Sequence, residues 1–137
     1  MKIVIIDGQG GRIGKMIVET IKELTIEHNL IAIGTNSIAT STMIKAGALK
    51  AATGENPVVF NAKDADLIIG PIGIIVANSM LGEVTEKMAV AIASSAAKKI
   101  LVPITKCNQI VVGVDDKPLS EYIKLVYQEV KTELAEI

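Results

Sequence analysis

Residues 3 to 6 form an apolar run of Ile and Val that meets Gly8, Gly10, Gly11 and Gly14 within the next eight positions. Such a run reads as a strand covered on both faces. Beyond the glycines, Ile13, Ile17, Ile21 and Leu24 recur at helical spacing, while Lys15, Glu19, Lys22 and Glu23 take the opposite face. Leu30 to Ile33 then supplies a second short strand. Strand, glycine turn, amphipathic helix and strand make a βαβ unit, whose crossover is right-handed and whose strands are parallel. Few chain architectures accept such an opening, and α/β layering is the principal one.

The rest of the chain extends this pattern. Thr35 to Ala46 reads as a loop and helix closed by Gly47. Val58 to Phe60 and Leu67 to Ile69 read as strands, although six residues between them are too few for a parallel crossover. A helix is predicted after Gly70-Pro71-Ile72-Gly73 and another from about Thr85 to Ala97, followed by a strand over Lys99 to Ile104. The short link Thr105 to Gln109 predicts that Ile110 to Val114 pairs antiparallel at an edge. Leu119, Ile123, Val126, Val130, Leu134 and Ile137 mark a last amphipathic helix. The expectation is one domain over residues 1–137: a three-layer Rossmann-like fold with a mostly parallel sheet of five or six strands and an antiparallel edge.

Composition narrows the function. With 14 basic and 15 acidic residues the net charge is −1, so no cationic field collects phosphate backbones. Phe60, Tyr122 and Tyr127 are the only aromatic residues, too few for base stacking. Nucleic acid is excluded as a partner on these grounds. A single Cys and a single His cannot assemble a four-ligand zinc site, and no metal is expected. No secretory leader and no transmembrane run is visible, which gives a cytoplasmic location by elimination.

In a strand-to-helix turn, glycines let backbone approach a ligand, and first-turn amides are free to bind an anion. Gly8, Gln9, Gly10, Gly11, Arg12, Ile13 and Gly14 are therefore candidate phosphate-binding residues. Arg12 is the only arginine of the chain, and its planar fork suits a phosphate; a solvated helix-start charge is the plain alternative. Asp7 either caps loop amides or shares a divalent ion with a phosphate.

The stretch "GQGGRIGK" resembles the cofactor loop of dihydrodipicolinate reductases, which opens a nicotinamide-binding Rossmann domain; the likeness covers about 25 residues. Over its whole length the chain resembles a small family of bacterial proteins known as a domain of unknown function, through "DGQGG.IGK", "GTN..AT..M.KAGA", "ATGEN", "ADLIIGPIGI..ANSMLGE.T" and "KKIL.P...C". The reductase likeness implies NADP or NAD. It departs from that family in lacking an acidic residue from His28 to Met43, where one meets the adenine ribose. Thr35, Asn36 and Ser37 stand there instead and lean toward a 2′-phosphate, hence NADP. The histidine-rich substrate domain of those reductases is also missing.

Other loops share the carboxyl edge of the sheet. Gly70, Pro71 and Gly73 could form a second backbone cradle, in a segment similar to the "DLIIGPGS" of phospholactate transferase-like proteins, with Ile72 and Gly73 replacing Gly-Ser. Thr40, Ser41 and Thr42 read as helix caps or phosphate contacts, Thr53 to Asn56 as a turn or site, and Asn78 and Ser79 as packing or ligand groups. Lys106 beside Cys107 could lower a thiol pKa, though a buried inert Cys is the commoner case. The readings carried forward are a nucleotide-binding protein, a small reductase or phosphate-handling transferase completed by a partner subunit, and a ligand-free oligomeric interaction domain. A homodimer is expected in each.

Overall fold

The computed structural model describes residues 1–104 and 108–136. Thr105, Lys106, Cys107 and Ile137 lie outside the described residues, and with them the thiol reading and the last position of the terminal stripe. Five strands make one sheet in the order β3-β2-β1-β4-β5, all parallel. They are β1 (Lys2–Asp7), β2 (Asn29–Gly34), β3 (Lys50–Thr53), β4 (Leu67–Pro71) and β5 (Lys98–Val102). The helices are α1 (Arg12–Ile21), α2 (Ser37–Ala46), α3 (Glu55–Ala62), α4 (Glu86–Ser94) and α5 (Leu119–Ala135).

The central strand explains the layers. Successive side chains of β1 face opposite ways, so Ile3 and Ile5 enter one core while Val4 and Ile6 enter the other. On the first face they meet Ile17 and Ile21 of α1, Met43 of α2 and Ile123, Val126 and Val130 of α5. On the second they meet Val58 of α3 and Met88 and Ile92 of α4. This is the three-layer Rossmann-like arrangement. Its core is almost wholly aliphatic, with Tyr122 the one aromatic ring among the buried core residues.

Three sequence expectations are overturned. Val58 to Phe60 is not a strand but the middle of α3, and the missing strand is Lys50–Thr53. The six-residue link was the warning: a parallel neighbour needs a helix in the crossover, and Val58 to Phe60 is that helix. Pro57 fits because it stands in the first turn, where a backbone donor is dispensable. β3 leaves little trace in the sequence because its Ala51 and Ala52 carry little strand signal and it lies at the sheet edge, paired with β2.

The antiparallel edge is likewise not seen; Ile110 to Val114 forms no strand and β5 ends the sheet. With β5 parallel to β4, no hairpin partner is needed there. Finally, a 3-10 turn over Ile72–Ile75 stands where a helix was expected, whereas the helix expected from about Thr85 is present as α4, capped by Thr85 and ending at Ser94.

Ile5 is fully buried whereas Leu49 is 98% exposed. Ile5→Ala should lower unfolding free energy by about 2–5 kcal/mol and Leu49→Ala by less than about 0.5 kcal/mol, measured by urea denaturation.

Candidate functional site

Strand order reverses between β1 and β4, the place where open parallel sheets bind ligands beyond their carboxyl ends. A cleft of about 350 Å³ lies there. Among the described residues its wall is the loop from Asp7 to Ile13, Pro71 at the end of β4, Gly73 just beyond it, Ser79 to Leu81, and Ile104, Gln109 and Leu119.

The glycine loop is organised by Asp7, which is 4% exposed. Its Oδ1 accepts from the Gly8 amide at 2.8 Å and its Oδ2 from the Gly14 amide at 2.7 Å. The carboxylate thus ties the end of β1 to the first turn of α1, whose N-cap residue, Gly11, has no side chain to do so. Of the two readings of Asp7, capping is the one its bonds realise. Burial pushes the Asp7 carboxyl above its ordinary value; the Gly14 and Gly8 amides pull it down, the Glu83 charge raises it and the Ile13 amide lowers it.

The loop glycines have different causes. A Cβ at Gly14 would sit 2.6 Å from Met43 Sδ, and one at Gly8 would sit 2.5 Å from Thr35 Oγ1. Gly11 adopts φ +74 and lies against the Ala39 backbone. These three are demanded by the fold. Gly10 is not, because nothing stands within 4 Å of its would-be Cβ and its φ is outside the left-handed region.

Loop amides are partly spent internally. Gly8 and Gly14 bind Asp7, Gly11 binds the Gly8 carbonyl, and Gln9 donates to Glu83 Oε1 at 2.9 Å. Among the described residues, the amides of Gly10 and Arg12 donate to no protein group. The Arg12 side chain is exposed and makes no ion pair with a described residue.

Thr35, Asn36 and Ser37 do not line the cleft. Thr35 Oγ1 and Asn36 Nδ2 each donate to Glu83 Oε1 at 2.7 Å, while Asn36 Oδ1 caps α2 through the Ala39 amide. Ser37 is exposed at the start of α2. Partial burial raises the Glu83 carboxyl, but bonds from Gln9, Thr35 and Asn36 outweigh it and hold the group below its ordinary value. Glu83 is not legible as a site residue in the sequence, because no spacing links it to the glycine loop.

On the other wall, Pro71 and Gly73 reach the cleft, whereas Gly70 is buried with its would-be Cβ 2.3 Å from the Ile6 carbonyl. Close strand packing requires that glycine. Other polar groups serve the fold: Thr40 meets Thr53 at 2.7 Å, Thr85 donates to Glu55 Oε2 at 2.6 Å, and Ser79 donates to the Gly73 carbonyl. His28 lies at the opposite end of the sheet, beside Met1. No helix among the described residues is long and apolar enough to cross a membrane.

These features define an α/β protein with a glycine-walled cleft at its strand-order switch. The chain belongs to the family described as Domain of unknown function (DUF3842), whose model matches residues 2–135. No curated protein and no solved structure matches it.

The Asp7 geometry has a pH signature. A folded value above the unfolded 3.8 means the contribution of Asp7 is fully present below pH 3.8 and is lost as pH rises through the folded value. In urea denaturation from about pH 3 to about pH 7, the stability of the wild type minus that of Asp7→Asn should therefore decline as pH rises. A difference that grew with pH would contradict the burial of this carboxyl.

Proposed function

We propose that the protein binds a nucleotide or dinucleotide phosphate, with NADP or NAD as the cofactor class, in the cleft at the β1/β4 switch. The observation that carries the reading is Gly10. It is a glycine on the cleft wall that the fold does not require, and a side chain is most usefully omitted where another molecule must approach the backbone. Beside it stand the amides of Gly10 and Arg12 and the Arg12 guanidinium, which have no partner among the described residues and make a donor set suited to a phosphate. Met80, Leu81, Ile104 and Leu119 supply an apolar wall for the uncharged end of such a ligand.

Self-association belongs to the same reading. Ile38 and Ile44 of α2 and Phe60 of α3 are left exposed at 68%, 51% and 63%, and sedimentation velocity should find a homodimer.

Thermal shift against NAD, NADP and ATP tests the ligand class, since a ligand that binds only the folded state raises the midpoint. At least one of the three should do so. Gly10→Ala should leave ligand-free stability unchanged or raise it by about 0.4–1 kcal/mol, yet reduce the ligand-induced shift. Arg12→Ala should reduce it as well. No shift with any of the three nucleotides would end this reading.

A further inference from the structure

Resting on that reading, we propose that Glu83 is the receptor for the ribose hydroxyls, so that the site takes a nucleotide with an unphosphorylated ribose and rejects one bearing a 2′-phosphate. The end of β2 carries no acidic side chain in sequence, yet an acidic group stands there in space. Glu83 Oε1 is held by the Thr35 hydroxyl and Asn36 carboxamide just beyond β2, and by the Gln9 amide of the glycine loop. A carboxylate spanning those two elements is where dinucleotide sites hold a ribose diol.

Three donors on one oxygen fix the group, and Oε2 accepts no bond from a described residue while keeping contact with solvent. One oxygen is thus anchored and the other is available to accept from a hydroxyl. The Gln9 amide that anchors it immediately precedes the Gly10 amide assigned to phosphate, so a ribose and its phosphate could be served by neighbouring residues.

The backbone carrying Glu83 is unusual in the same sense. Asn78, Met80 and Leu81 hold φ of 66, 56 and 57, a region that non-glycine residues rarely enter, and Leu81 is 99% exposed beside the cleft. A segment bent this way brings Glu83 over Gly8, whose would-be Cβ lies 3.1 Å from Glu83 Oε1.

Charge decides the selectivity. Glu83 is held in its ionised form and stands close enough to raise the carboxyl of Asp7. A phosphate dianion placed against the pair would meet two negative groups, whereas a diol donates to one of them.

Calorimetric titration of the wild type and Glu83→Gln with NAD, NADP and ADP-ribose tests the assignment. The wild type should bind NAD and ADP-ribose at least about tenfold more tightly than NADP. In Glu83→Gln, NAD should weaken about tenfold, as expected for loss of a charged acceptor, and the gap to NADP should narrow. Should that variant unfold, Thr35→Val removes one anchoring donor, keeps the charge and should also narrow the gap. NADP binding as tightly as NAD to the wild type would overturn the inference and leave the nucleotide reading standing. So would tighter NAD binding by Glu83→Gln, which would make Glu83 a plug that the ligand must displace. Absence of binding by all three compounds would overturn the inference, and the nucleotide reading with it if ATP also produced no thermal shift.

Discussion

The structure turns on a buried carboxylate. Asp7 ends the central strand, and its two oxygens accept the amides of Gly8 and Gly14, joining β1 to α1 across the glycine turn. A helix that begins in the interior has first-turn donors that need partners, and here the strand supplies them. The cost is a negative charge in a site that raises its pKa. In exchange the loop between has a defined shape, and among the described residues the amides of Gly10 and Arg12 have no protein partner.

Glu83 extends that framework outward. It draws the glycine loop, the end of β2 and the segment after the 3-10 turn onto one carboxylate oxygen. Asn36 reinforces the arrangement, because its carboxamide caps α2 with one end and with the other donates to Glu83 and to the Gln9 carbonyl. The same side chains thus hold helix, loop and site in register. A change at any of them acts on local stability and on the shape of this edge of the loop together.

Charge around the loop is finely divided. Asp7 and Glu83 are acidic, while the Arg12 guanidinium lies on the cleft side with no carboxylate partner among the described residues. One edge of the loop is therefore suited to hydroxyl donors and the other to a phosphate. A ligand with both chemistries, as a nucleotide has, would match the two sides without requiring either carboxylate to be neutralised.

Much of this was readable in the chain. The Ile and Val run of residues 3 to 6, the glycines and the stripe of Ile13, Ile17 and Ile21 determine a strand, a turn and a helix, because each pattern reports which local face is buried. The capping reading of Asp7 also came from its place in a glycine turn. Strand identity was decided elsewhere: Val58 to Phe60 is apolar enough for either state, and only the need for a helical crossover between parallel strands makes it α3 and Lys50–Thr53 the strand. The Glu83 site is a product of tertiary structure alone. Its partners are 74, 48 and 47 residues away, and periodicity, which encodes local burial, carries no information about contacts that only the assembled sheet brings together.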